Sequence, residues 1–245
     1  MPQFIIKPIN IKNNQIILTT KDADFHHIFH VLRFKVGDKI NFLSLENISY
    51  TTRVTSLTAT ESVLKILQEQ ILQKKDKFTL FQALPKNKKM DFIIEKAVEL
   101  GVDEIVPLIS QNVIIKTIKT TKLNRWQEIA IAATKQSGNP LIPKIHPPQS
   151  FSDAIKNINQ KSINLIGYEN SKNALPSDLK QPLPKNDKNI AINLIIGSEG
   201  GFTQTEIDNA KIMGWQNFRL KGNILRAETA PIVLISIIKY KLDLL

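Results

Sequence analysis

Cysteine is absent from the 245-residue chain. A disulfide framework, a thiolate zinc site and a cysteine nucleophile are therefore excluded. Histidine is scarce, with His26, His27, His30 and His146 the only imidazoles. His26 and His30 have the i, i+4 spacing of a helical zinc pair. The glutamate that follows the first histidine in helical metalloprotease motifs is missing, so no metal is expected. Arginine is reduced to Arg33, Arg53, Arg125, Arg219 and Arg226. An arginine kept inside a distinctive motif thus carries more information than any one lysine. Long apolar runs are also missing. The run from Ala230 to Ile238 is closed by Lys239 and Lys241, too short to span a bilayer, and reads as a buried helix. The N-terminus has no signal pattern. A cytoplasmic location without membrane partners is expected.

The hydrophobic content of 42% suffices for a real core, in one large domain or two modest ones. The net charge is +11 and the pI about 9.7. Such a balance favours a polyanionic partner, because neutralised phosphates release counterions. A surface of solvated lysines, in a chain also rich in Asn and Ile, is the alternative.

Residues 1–72 read as a small β-barrel. Short apolar runs at 15–18, 39–43 and 63–67 are separated by polar turns, with Val36-Gly37-Asp38 turning into the second. A helix over 24–32 interrupts them. The charged stretch 73–77 marks a boundary, and 73–245 form the second domain. There strands at 78–84, 105–109, 163–168, 189–196 and 217–220 alternate with helices. Met90, Ile93, Ile94, Ala97 and Val98 share one helical face, which Gly101 ends. A helix over 122–137 buries Trp126, Ile129, Ala130 and Ala133. Alternation of this kind predicts an α/β domain with a mostly parallel sheet. Residues 171–188 read as a loop.

Two loops carry the chemistry. The strand 190–196 runs into Gly197-Ser198-Glu199-Gly200-Gly201-Phe202. Thr203 and Glu206 then form a capping box. The loop lies at the carboxyl end of a buried strand, where open α/β sheets bind ligands. It fits neither the dinucleotide nor the P-loop pattern, and on its own it could equally be a tight structural turn. The second loop, Lys221-Gly222-Asn223-Ile224-Leu225-Arg226-Ala227-Glu228-Thr229, precedes a helix opening at Ala230-Pro231, with proline in the first turn. Two strand-loop-helix units place both loops at one sheet edge, able to face each other across a pocket. Arg226 and Glu228 could also be a plain surface pair.

With these segments in view, the chain resembles the 16S rRNA uridine-N3 methyltransferase family of the knotted SPOUT class. The match extends beyond the loops. His27, Val31-Leu32-Arg33 and Gly37-Asp38 resemble an N-terminal signature. Lys86, Lys89-Met90, Glu95-Lys96-Ala97, Glu99-Leu100-Gly101-Val102 and Pro107 resemble a central one, and Arg125-Trp126 with Gln136-Ser137 the next. The sequence departs from the family at Ser198 (usually Pro), Lys221 (Gly), and Asn139 and Asn223 (Arg).

The resemblance implies a PUA-like β-barrel followed by a SPOUT α/β domain with a C-terminal trefoil knot. It implies a homodimer that uses S-adenosyl-L-methionine to methylate 16S rRNA, in the small ribosomal subunit. It assigns Ile196, Gly197, Gly200, Leu220, Ile224, Leu225 and Ala230 to the cofactor. Arg226 is the leading candidate to stabilise the uracil N3 anion, since arginine does not act as a base. Glu199 is either a base or a residue that orders the glycine loop. Lys7, His27, Arg33, Lys86 and Lys89 are expected RNA contacts, and for the adjacent histidines a structural role in the barrel is an equal alternative. The absence of cysteine excludes the covalent cysteine route to pyrimidine C5 methylation. The rival readings are a SPOUT 2′-O-ribose methyltransferase and a non-catalytic RNA-binding assembly factor.

Overall fold

The computed structural model describes residues 4–74, 76–114, 116–156, 162–175 and 190–244. The chain divides into two compact units, Met1–Gln73 with Pro140–Ile142, and Lys74–Asn139 with Pro143–Leu245. Most of the expected loop at 171–188 lies outside the described residues.

The first unit contains β1 (Phe4–Ile6), β2 (Ile11–Lys12), β3 (Gln15–Thr19), α1 (Ala23–His26), β4 (Lys39–Ser44), β5 (Ile48–Leu57) and β6 (Glu61–Ile71). They form a six-stranded sheet in the order β1-β4-β5-β6-β3-β2. All neighbours are antiparallel except β1 with β4. Alternation along β3, β4 and β6 sends Ile16, Leu18, Ile40, Phe42, Leu64 and Ile66 inward. Register shifts between Thr51 and Thr52 and between Val54 and Ser56 bend the long β5–β6 ribbon, as bulges do. The expected barrel is a curled sheet with β1 and β2 at its edges. Helix α1 does not continue as an α-helix to residue 32; His27–Val31 is wound as a π-helical turn. Pro140–Ile142 joins this unit through Asn47, whose side chain accepts from the Ile142 N–H at 2.7 Å and donates to its carbonyl at 3.2 Å. Sequence periodicity has no means of finding such a tie.

The second unit contains β7 (Lys77–Ala83), α2 (Lys89–Glu99), β8 (Glu104–Ile109), α3 (Thr120–Ser137), β9 (Lys144–Ile145), β10 (Gln149–Ser150), α4 (Phe151–Lys156), β11 (Ile163–Gly167), β12 (Ala191–Ile196), α5 (Gln204–Ile212), β13 (Gln216–Phe218) and α6 (Thr229–Lys241). The sheet is parallel throughout, in the order β10-β8-β7-β12-β11-β13, with β9 also on β8. Its central strands are buried on both faces: Leu80, Ile105, Leu165 and Leu194 are fully enclosed. The apolar face of α2 lies in this core as its spacing predicts. Asp91 on α2 fixes α3 by accepting from the Trp126 indole at 2.9 Å and pairing with Arg125 at 2.6 Å. Two groups satisfy carbonyls at the carboxyl end of α2. Asn139 donates to the Val98 carbonyl at 3.2 Å, and the Lys239 ammonium donates to Leu100 at 2.7 Å and Gly101 at 3.1 Å. Burial pushes the Lys239 ammonium pKa down. The 230–238 run is a buried helix, as expected, with Pro231, Leu234, Ile235 and Ile238 inside. No helix among the described residues is long and apolar enough to cross a membrane.

Candidate active site

Strand β12 delivers the chain to Gly197 at the carboxyl edge of the sheet. The Gly201 N–H donates to the Ser198 carbonyl at 3.0 Å, closing a tight turn in which Gly201 adopts φ +59°. Only glycine takes that conformation without strain. The capping box of α5 is formed in full by Thr203 and Glu206. The ends of β7 and β8, both on one side of β12, hold the turn. Gln82, fully buried in β7, donates its amide to the Gly197 carbonyl at 3.2 Å. Asn112, beyond β8, donates to the Gly200 carbonyl at 2.8 Å.

The second loop leaves β13 and returns into α6. The Arg226 carbonyl accepts from the Thr229 and Ala230 N–H groups, each at 2.9 Å, as the helix begins. Between the two loops lies a cavity of about 670 Å³, within the usual range for a small-molecule site. Its walls come from three adjacent strand ends. Ile196 follows from β12, Gly167, Tyr168 and Glu169 from β11, and Phe218, Arg219 and Leu220 from β13. A side chain at Gly167 would meet the Ile196 and Leu234 methyl groups at 3.2 Å, so the glycine keeps this wall open.

Lys89, the first residue of α2, bridges the loops. Its ammonium lies 2.8 Å from a Glu199 oxygen and 3.0 Å from a Glu228 oxygen. Burial pushes the Glu199 carboxyl up, but the Lys89 ammonium and the backbone N–H groups of Glu199 and Lys86 outweigh it and hold the carboxyl below its ordinary value. The Glu228 carboxyl is lowered chiefly by Lys89, with Arg226 adding to the field. Arg226 is exposed. Its guanidinium has no hydrogen bond or ion pair among the described residues, and Arg226 lines the cavity.

Ile196, Gly197, Leu220, Ile224, Leu225 and Ala230 all line this cavity, as do Arg226, Glu199 and Lys89. Gly200 does not. It turns to the other side, where a Cβ would meet the Asn112 Cβ at 2.9 Å. Lys86 contributes its backbone N–H to Glu199, at 3.2 and 3.3 Å from the two oxygens. Lys7, His27 and Arg33 belong to the first unit and are exposed there. The His27 ring is tilted against Phe4 at 6.2 Å, and His26 stacks on His30 at 5.1 Å. Among the described residues no cluster of His, Asp and Glu could hold a metal. Sequence reasoning missed Gly167, Tyr168 and Glu169. Their signal was available, since they follow a buried strand at the same sheet edge as the two loops.

Comparisons with known proteins agree with this geometry. A family model described as an RNA methyltransferase domain matches residues 72–239, and one described as an RNA methyltransferase PUA domain matches residues 20–67. Ribosomal RNA small subunit methyltransferase E of Mesomycoplasma hyopneumoniae is 40% identical over 164 residues, covering 66% of this chain and 69% of its own. The protein of the same name from Buchnera aphidicola of Schizaphis graminum is 31% identical and covers 98% of this chain and 96% of its own. The crystal structure of ribosomal RNA small subunit methyltransferase E from Neisseria gonorrhoeae, bound to S-adenosyl methionine, is 29% identical with a TM-score of 0.73, covering 98% of this chain and 97% of that one. With the methyltransferase model matched over residues 72–239 and a relative 31% identical across 98% of this chain, the chain belongs to the ribosomal RNA small subunit methyltransferase E family.

Proposed function

We propose that the chain transfers a methyl group from S-adenosyl-L-methionine to N3 of a specific uridine in 16S rRNA of the small ribosomal subunit. The observation that carries this reading is the cavity at the carboxyl edge of the sheet, with an arginine on its wall whose guanidinium has no partner among the described residues. The residues present fit the cofactor. Ile196, Leu220 and Leu225 offer apolar surface for an adenine, and the glycine turn admits a ligand close to the backbone. The Ser198 hydroxyl is buried with no hydrogen-bond partner among the described residues and can serve a polar ligand atom. Bound there, the cofactor supplies an electrophilic methyl group on a sulfonium.

The protein's own groups do the rest. Uracil N3 becomes nucleophilic when its proton passes to solvent water, and Arg226 stabilises the resulting anion by charge and hydrogen bonding. Glu199 is tied to Lys89 and held below its ordinary value, which makes it a poor proton acceptor. We assign it to ordering the glycine loop. Lys89, held between two carboxylates, positions both loops.

The same reading includes a trefoil knot, a homodimer and a cytoplasmic location. The knot is supported by the strand order, in which β11 lies between the later β12 and β13. The dimer is supported by α6, which leaves Ile232, Val233 and Ile237 half-buried and Tyr240 exposed. The deciding experiment incubates the purified chain with 16S rRNA or small subunits and labelled cofactor, then separates the nucleosides. Labelled 3-methyluridine is expected. Label in a 2′-O-methylnucleoside would overturn the base assignment, and no label in RNA would overturn the reaction.

A further inference from the structure

The outer face of the first unit's sheet carries a row of cations that the cavity chemistry does not use. Cross-strand register sets Lys39 opposite Arg53, Arg53 opposite Lys65, Lys65 opposite Gln15, and Gln15 opposite Lys12. All five side chains are exposed. Neighbouring strands lie about 4.8 Å apart, so the row crosses β4, β5, β6, β3 and β2 over about 19 Å. No acid interrupts it; Glu61 and Glu69 of β6 lie toward the ends of that strand. Among the described residues none of the four cations has an ion pair.

Like charges directly opposite one another weaken a sheet. Here they cannot slip apart, because Ile40, Val54, Leu64 and Ile16 on the inward face fix the register through the core. The fold therefore holds uncompensated positive charge in a line one residue wide. That shape suits a linear polyanion better than a plane of lipid headgroups. Thr51, Thr55 and Asn41 flank it as further polar contacts on β5 and β4.

We propose that this row is a track for the sugar-phosphate backbone of RNA, resting on the reading above that the substrate is ribosomal RNA. Arg53 at its centre can bond a phosphate through two N–H groups, and the lysines act as point charges. Phosphate contacts of this kind set affinity and register and carry no sequence information.

The test uses the full chain with Lys39→Gln, Arg53→Gln and Lys65→Gln combined. A charge-matched control carries Lys21→Gln, Lys119→Gln and Lys156→Gln. Binding to a 16S rRNA fragment is measured between about 50 and about 200 mM salt. In the row variant the slope of log Kobs against log salt should become shallower by about 2, at ~0.7 per single-strand contact. KM for RNA should rise, while kcat at saturating RNA and cofactor affinity hold and the thermal midpoint does not fall. An unchanged slope, or an equal change in the control, overturns the row. So does a variant that loses binding to phosphatidylglycerol vesicles but not to RNA. Absence of methyl transfer by the unaltered chain would remove the parent reading; the slope is read from binding alone and decides the row in either case.

Discussion

At the scale of single residues, the site separates groups that are committed from groups that are free. Arg226 is uncommitted, so its loss should fall on the chemical step. Arg226→Ala is expected to lower kcat by roughly a hundredfold or more, with cofactor affinity and thermal midpoint retained; turnover within a few-fold of the parent would remove Arg226 from the mechanism. Lys89 is committed to Glu199 and Glu228, so its loss should loosen both loops. Lys89→Met is expected to raise the cofactor Kd about tenfold or more, in line with the cost of misplacing a site by an ångström, and to leave the KM for RNA nearly unmoved. A KM for RNA that rises while cofactor affinity holds would make Lys89 a phosphate contact after all. Gly200 is hemmed in by backbone and side-chain atoms of Asn112. Gly200→Ala should lower the thermal midpoint and weaken cofactor binding together, which calorimetry on the two proteins would read.

At the scale of elements, β8 is held by an acid with partners on both sides. Glu104 lies 2.7 Å from Lys77 and 3.2 Å from the His146 ring. Burial pushes its carboxyl up, but hydrogen bonds from His146 and Lys77 outweigh that and bring it down to about 2. The carboxyl is thus lower in the folded chain than in the unfolded one. Its contribution to stability is present above the ordinary carboxylate range and is lost as the pH falls through about 2. Glu104→Gln should flatten the fall of the thermal midpoint across that acid window; an identical acid limb in both proteins would assign the loss elsewhere. Elements with strong apolar periodicity were legible in the sequence. Helices α2 and α3, strands β7, β8 and β12, and the capping box of α5 follow from spacing alone. The long β5 was not, because its outward face mixes Thr, Ser and Arg over an interrupted register. The π-helical turn at 27–31 is invisible to a helical pattern that assumes one period. Much of the family signature also proves to be architecture: Arg125 and Trp126 tie α3 to Asp91, and Lys96 sits between Glu95 and Glu99 at 2.7 and 2.8 Å. The departure at Asn139 falls in the same class, a buried amide at the end of α2. Within the site, the two loops were legible because each combines a strand end with glycines or a cap. The bridging role of Lys89 depends on α2 and both loops meeting in space, which no spacing rule reports.

At the scale of the whole molecule, the outward stripe of α6 predicts association. If Ile232, Val233 and Ile237 are covered by a second copy, the thermal midpoint should rise with protein concentration, and Ile237→Glu should make it independent of concentration while sedimentation shows a monomer. A midpoint that ignores concentration in the unaltered chain would exclude the dimer. The Lys239 clasp on Leu100 and Gly101 has a further consequence, for the order in which the protein comes into being. A growing polypeptide presents α2 long before residue 239 leaves the exit tunnel, so the carbonyls at the end of that helix wait for their partner. The wall from Arg219 to Ala230 emerges just as late. Until residue 239 has emerged, the end of α2 and one wall of the cavity therefore wait for segments that lie more than a hundred residues further along the chain.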